Sequence, residues 1–278
     1  MALVKRALWH IETRLDRRLL LDDVAALTGV SRFHLSRAFS YGTGVGLAAY
    51  VRGRKLSLGA ERLAAGCDDI LSLALALGYS SHEAFSRAFK ERFGVTPEVV
   101  RRSGETAALD LMEELRMADT SPTASRHGAP RLVQHDAVTL AGLNERYTPE
   151  SAGAIPGQWQ RFAQYLGHIP GQVEGATFGV VHGIEEEDAY QYLCAVAVSG
   201  HGELPPALQR HTLPAGRHAV FPHAGHVSEV RSTCAYAFDT WLPQAGLSPV
   251  PGVFFERYGE RFDPVTGDGG FEVWIPVL

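Results

Sequence analysis

Apolar positions in the first part of the chain recur every three to four residues. Val4, Leu8, Ile11 and Leu15 form one stripe, the mark of an amphipathic helix. Leu21 to Thr28 predicts a short helix ended by Gly29, and Ser31 supplies an N-cap for a helix reaching about Tyr41. Val45 to Ala65 reads as one longer helix stopped at Gly66. Ile70 to Leu77 is short again and ends at Gly78, and Ser80 or Ser81 caps the helix after it. Thr96-Pro97 opens a last short helix, with Pro97 at its first position. A short helical stretch at 107–117 then gives way to Ser, Thr, Pro and Gly at Thr120–Thr123 and His127–Pro130. Past Arg131 the pattern changes to strands at 131–144, 175–183, 189–199, 215–221, 252–259 and 271–277, with helical patterns at 155–168 and 225–242. The expected fold is an all-α N-terminal domain (1–106), a linker (107–130) and an α+β domain with antiparallel sheet (131–278), built as a duplicated β-α-β-β unit.

The helical half contains a repeat. Leu35-Ser36-Arg37-Ala38-Phe39 matches Phe85-Ser86-Arg87-Ala88-Phe89 at an offset of 50, as Gly44-Val45 matches Gly94-Val95. Each copy runs helix, Gly-containing turn, Ser-capped helix, which is the helix-turn-helix pattern. Two reading helices on one body enter successive major grooves only if held about 34 Å apart. The intervening helix, about 20 residues or ~30 Å, has the right length for that spacer. One chain therefore suffices to read an asymmetric DNA site.

Charge sharpens this division. Residues 1–105 carry 16 Lys and Arg against 11 Asp and Glu, whereas 106–278 carry 10 against 20, for the overall net charge of −5. A basic half joined to an acidic half suggests a polyanion-binding module coupled to a different task. No apolar run approaches the ~20 residues needed to span a bilayer, and the first residues lack a signal-peptide pattern. Cys67, Cys194 and Cys234 show no CxxC pairing and fit a reduced cytoplasm as small apolar residues.

Residues 1–104 resemble an AraC-family DNA-binding domain. The resemblance rests on Leu21-Asp-Asp-Val-Ala25, Gly29-Val-Ser31, His34-Leu-Ser-Arg37, Arg52-Gly-Arg-Lys-Leu56, Gly78-Tyr-Ser80 and, most specifically, Phe85-Ser-Arg-Ala-Phe-Lys90 through Phe93-Gly-Val-Thr-Pro97. It implies base-contacting positions at Arg32, Phe33, Ser36 and Arg37 on the first reading helix. On the second it implies Ser81, His82, Glu83, Ser86 and Arg87. Arg37 and Arg87 suit guanine O6/N7 or a phosphate, and Phe33 a thymine methyl. Leu35, Phe39, Phe85 and Phe89 belong instead to the core that holds these helices.

The acidic half lacks a nucleotide-binding glycine motif, a nucleophile elbow and a metal-ligand pair at helical spacing. His211, His218, His223 and His226 cluster in one stretch with only Glu229 close by, so no metal or cofactor is expected. Glu185-Glu186-Glu187-Asp188 reads as a solvated hairpin turn. One strand, however, contains a carboxylate among rings: Val253-Phe-Phe-Glu256-Arg-Tyr258. Alternation puts Phe254, Glu256 and Tyr258 on one face and Phe255 and Arg257 on the other. A desolvated Glu256 beside rings would have a raised pKa and would suit a bulky lipophilic cation. Periodicity alone equally allows ordinary core aromatics with Glu256 paired to Arg257, Arg261 or solvent.

Residues 131–278 are similar to the GyrI-like effector-binding domain. The motifs are Gln158-Trp-Gln-Arg-Phe162, Gly175-Ala-Thr-Phe-Gly179, Ala215-Gly-Arg-His-Ala-Val-Phe221, Phe255-Glu-Arg-Tyr258 and Glu272-Val-Trp-Ile-Pro276. The resemblance implies that Glu256 is the ligand-binding carboxylate, and Trp159, Tyr192, Phe221, Tyr236, Phe254, Tyr258 and Trp274 are the aromatic residues assigned with it. An AraC-type half followed by a GyrI-like half resembles the Rob type of regulator. The expected partners are double-stranded promoter DNA and a small-molecule effector, with RNA polymerase as a further candidate. Two alternatives stand: a hydrolase using Glu256 as general base, and a pure protein-interaction module, for which a dry, closed pocket is expected.

Overall fold

The structure is a computed structural model that describes residues 3–66, 69–115, 128–149, 151–183, 189–200 and 202–278. Cys67, the acidic run at 185–188 and most of the Ser/Thr/Pro stretch at 116–127 lie outside the described residues.

Seven helices build the first half: α1 (Leu3–Glu12), α2 (Leu21–Thr28), α3 (Arg32–Thr43), α4 (Leu47–Ala64), α5 (Ile70–Ala76), α6 (His82–Phe93) and α7 (Pro97–Ser103). Their ends follow local chemistry. Gly29 closes α2 in the left-handed conformation (φ 78°), where a Cβ would be strained. The Ser31 hydroxyl accepts from the His34 amide and the Ser81 hydroxyl from the Ala84 amide, so the two reading helices are capped alike. Val4, Leu8, Ile11, Leu35, Phe39 and Tyr50 share one core; Leu56, Leu63, Phe85 and Phe89 share a second. The spacer α4 bridges the two cores. Its 18 residues correspond to about 27 Å.

The helix expected at 107–117 does not form over its described part: residues 107–115 run as turn, bend and irregular chain. They are held by tertiary contacts instead. The Arg54 guanidinium donates to the Met112 carbonyl (2.7 Å), the Met112 amide to Ser57 Oγ (2.8 Å) and the Leu115 amide to the Tyr50 hydroxyl (3.1 Å).

The second half is one eight-stranded antiparallel sheet in the order β1-β6-β8-β7-β3-β4-β2-β5. Its strands are β1 (Arg131–His135), β2 (Val138–Tyr147), β3 (Gln172–His182), β4 (Tyr190–Val198), β5 (Gln209–Leu213), β6 (Gly216–His223), β7 (Val253–Tyr258) and β8 (Phe271–Pro276). The duplicated β-α-β-β core is present as β2-α8-β3-β4 and β6-α9-β7-β8, with α8 at Ile155–Ala163 and α9 at Val230–Ala235. Three details depart from the sequence expectation. The stretch 131–144 divides at Asp136-Ala137 into β1 and β2, which go to opposite regions of the sheet, and β5 is an additional strand. The strand before each unit pairs with the other unit: β1 with β6, β5 with β2. The second helix is also discontinuous, passing from α9 into a π-helical segment at Tyr236–Trp241.

The sheet has two apolar faces. Phe178, Val180, Leu193, Val220, Phe255 and Trp274 line one. Val181, Tyr192, Phe221, Phe254, Tyr258 and Val273 line the other, together with Phe162 of α8, Cys234 of α9 and Phe238 of the π-helical segment. Helix α3 of the first half packs against α9 and the π-helical segment.

Candidate DNA-reading and effector sites

The two reading helices are exposed very differently. On α6, His82, Glu83 and Arg87 are exposed and Ser81 and Ser86 half-buried, as groove entry requires. On α3, Arg32 and Phe33 are half-buried, Ser36 is buried and Arg37 is 2% exposed. The burial of α3 has two sources. Leu35, Ala38 and Phe39 face the helical core, and the opposite side meets the sheet half.

The contacts across that second side are specific. The His34 ring donates from Nε2 to the Phe238 carbonyl, Arg231 Nη2 donates to the Ser40 carbonyl (3.2 Å), and the Val4 amide donates to Asp239 Oδ1 (2.8 Å). Tyr41 stacks on Phe238 (6.0 Å, 12°) and meets Phe254 edge-on (6.2 Å, 78°). The Arg37 guanidinium lies over the Tyr190 ring at 5.6 Å. Its Nε and Nη2 are buried and have no hydrogen-bond partner among the described residues. A cation–π contact returns up to about 2 kcal/mol when desolvated, while unpaired buried donors each cost about 1–3 kcal/mol.

Glu256 lies on the helix-covered face of β7, 8% exposed. Pairing aligns Glu256 with Gly179 of β3 on one side and Val273 of β8 on the other, and Val273 in turn with Phe221 of β6. Direct antiparallel partners share a face, so these residues form one row beneath the helices. The Tyr192 and Tyr258 hydroxyls both donate to Glu256 Oε2, at 2.7 and 2.8 Å. Trp159 Nε1 donates to the Tyr192 hydroxyl (3.3 Å), and its ring meets Tyr258 edge-on at 5.5 Å. Burial raises the Glu256 pKa above the usual carboxylate value, and the two tyrosine hydrogen bonds only partly offset it. Among the described residues no cation pairs with Glu256. Arg257 points to the other face, where its Nη1 lies 3.8 Å from Glu272.

The sequence-assigned aromatics divide accordingly. Trp159, Tyr192 and Tyr258 surround the carboxylate, and Phe254 occupies the same strand face two residues away. Phe221 shares the Glu256 row but meets Tyr236 (6.5 Å) and Trp241 (5.2 Å) further along the sheet. Trp274 is on the opposite face, stacked on Phe255 (5.6 Å, 15°), because it pairs with Phe255 rather than with Glu256. It is remote from the carboxylate chamber.

Several residues of the site carried no sequence assignment. Gln158, fully buried, donates from Nε2 to the Leu143 and Tyr192 carbonyls (2.9 and 2.8 Å) and fastens α8 over the chamber. Gly179 leaves the space that Tyr192 Oη and Glu256 Oε2 occupy. Both belong to motifs quoted above, which was their only signal. Tyr41, Tyr190 and Arg231 had none, since their role arises between the two halves.

The chain belongs to the AraC-type helix-turn-helix regulators that carry a GyrI-like small molecule binding domain. The GyrI-like small molecule binding domain matches residues 129–278 and a helix-turn-helix domain matches 24–103. Among relatives, the Transcriptional regulator Rob of Salmonella typhimurium is 28% identical over 96% of this chain and 93% of its own. The Right origin-binding protein of Escherichia coli is 29% identical over the same shares. The Transposon Tn10 TetD protein of Escherichia coli is 42% identical over 36% of this chain and 72% of its own. One solved structure, of a protein bound to tetraphenylphosphonium, covers 54% of this chain and 94% of its own at 23% identity and a TM-score of 0.45. Among the described residues no helix is long and apolar enough to cross a membrane.

Proposed function

We propose that this regulator acts in the cytoplasm as two functional domains, 1–106 and 131–278, joined by the 107–130 linker, and that its effector is a bulky lipophilic cation held at Glu256. The observation that carries the reading is an enclosed carboxylate without a cationic partner among the described residues, ringed by Trp159, Tyr192, Phe254 and Tyr258. An unpaired buried carboxylate is costly in the free protein, and a cation with apolar substituents satisfies both the charge and the rings. The base-reading groups are Arg32, Phe33, Ser36 and Arg37 on α3, and Ser81, His82, Glu83, Ser86 and Arg87 on α6. RNA polymerase is the further partner of the DNA-bound state.

Isothermal titration of the full chain with tetraphenylphosphonium tests the ligand half. Binding is expected for the wild type and at least a tenfold loss for Glu256→Gln. Equal affinity of both proteins removes Glu256 from the reading. The DNA half is tested by Arg87→Ala, for which loss of one guanidinium–guanine or phosphate contact should weaken a selected duplex about 5- to 150-fold, or 1–3 kcal/mol.

The raised pKa of Glu256 also suits a general base, which keeps a hydrolase reading open to test. Product formed from a hydrolysable cationic ester, lost in Glu256→Gln, would establish it. Burial of Glu256 also fits a protein-interaction module, but such a module has no use for an unpaired carboxylate inside.

A further inference from the structure

Resting on the reading above, we infer that the sheet half carries a docking surface for the chain's own first reading helix, and that a cation entering the Glu256 chamber releases that helix to DNA. Phe33, Ser36, Arg37 and Ser40 recur at three- and four-residue spacing and so share one side of α3. A helix in the major groove presents that side to base edges. Here the same side faces α9 and the π-helical segment. It is fixed by the His34–Phe238 and Arg231–Ser40 hydrogen bonds and by Arg37 over Tyr190, with Val4–Asp239 holding the adjacent α1. With Ser36 5% and Arg37 2% exposed, these two side chains have no route to a base edge while the helix is docked. DNA and the sheet half compete for one surface.

The chamber and the docked helix also share a wall. Tyr41 of α3 stacks on Phe238 and meets Phe254, which lies two residues from Glu256 on the same strand face. The small cavity beside the docked helix, about 70 Å³, is bounded by Arg37, Tyr41, Tyr190 and Arg231 among others and not by Glu256 or its ring of aromatics. Ligand pockets for drug-sized molecules run to about 300–1,000 Å³. A bulky cation therefore makes room at Glu256 by displacing Tyr41 and with it α3. The release also frees the Arg37 Nε and Nη2 donors, unpaired among the described residues when docked, for guanine or phosphate oxygens. Ligand and DNA both favour the separated state, so each must raise the affinity for the other.

The test uses the full chain and the double variant Arg231→Ala/Asp239→Ala, whose side chains belong to neither the base-reading face nor the Glu256 ring. A duplex recovered from a random-sequence pool is titrated by fluorescence anisotropy, with and without saturating tetraphenylphosphonium. The double variant is expected to bind at least tenfold tighter than the wild type without the cation, and the cation to close that gap. Amide hydrogen exchange over residues 32–43 should accelerate in the wild type on adding the cation. Should the double variant fail to fold, a tenfold rise in wild-type affinity with the cation, together with the exchange change, decides alone. Wild-type affinity within twofold with and without the cation, and unchanged exchange, overturns the inference while leaving DNA recognition intact. Recovery of no duplex by any protein, in either condition, overturns the regulator reading itself and the inference with it.

Discussion

Replacing Gly179 with alanine tests the architecture of the carboxylate chamber at its tightest point. A Cβ at this position would lie 2.1 Å from the Tyr192 hydroxyl oxygen, 2.6 Å from Glu256 Oε2 and 2.9 Å from Tyr192 Cζ. Ordinary van der Waals contact begins near 3.4 Å, so the tyrosine hydroxyl must retreat by more than 1 Å. It has little freedom to do so, because Tyr192 is buried and its hydroxyl both donates to Glu256 and accepts from Trp159. Overpacking of this kind costs about 1–3 kcal/mol. Losing the Tyr192–Glu256 hydrogen bond adds about 1.5–3 kcal/mol. Gly179→Ala should therefore destabilise the sheet half by about 3–5 kcal/mol, a fall in melting temperature of roughly 10 °C. Thermal unfolding followed by tryptophan fluorescence reads this directly, since Trp159, Trp241 and Trp274 all lie in that half. Gly153→Ala is the control: its Cβ meets nothing within 4 Å, and its stability should be unchanged. A Gly179→Ala protein within about 1 kcal/mol of the wild type would refute the packing and hydrogen-bond geometry assigned to the chamber.

Three further outcomes follow from the same reasoning. Glu256 has a folded pKa raised above its ordinary 4.5 by burial, so its favourable contribution is complete below that value and is lost as pH rises through the raised pKa. Glu256→Gln should accordingly melt higher than the wild type at neutral pH, with the gain vanishing below about pH 4.5; a constant difference across the melting series would contradict the assignment. His182 is lowered to about 4 by burial and by the neighbouring His211 ring, 4.5 Å away. Its contribution is full above the ordinary 6.5 and lost as pH falls toward about 4, so His182→Gln should flatten the acid limb of a stability–pH curve. In the helical half, Arg54 bridges Glu12 (2.8 Å) and the Met112 carbonyl, with side chains only 16% and 15% exposed for the ion pair. Arg54→Ala should cost about 2–3 kcal/mol in urea unfolding, and Glu12→Gln/Arg54→Ala less than the sum of the single changes.

Much of the helical half was legible because its signals are local. Ser31, Ser81, Gly29 and Pro97 act within one turn of their own positions, and each ends or begins a helix where the sequence puts it. The stretch at 107–115 misled because its apolar residues are spaced like a helix but pack against the two helical cores, while its backbone amides bond Ser57 and Tyr50. In the sheet half, alternation located Glu256 on the Phe254 and Tyr258 face. Strand register, which alternation does not contain, sent Trp274 to the other side. The β1–β2 division escaped for a related reason: a break at Asp136-Ala137 is visible only once the two strands pair with different partners.

The sequence by itself determined the two helix-turn-helix units, the duplicated β-α-β-β core and an acid among rings, since each is written in periodicity, caps and short motifs. Tertiary structure alone decided which tyrosines hold that acid, why position 179 is glycine, and that the first reading helix rests against the effector half while the second faces solvent. Arg37 and Arg87 occupy matched positions in a repeat and are indistinguishable there. One lies over Tyr190 and the other is exposed, because α9 and the π-helical segment pack against α3 and the adjacent α1.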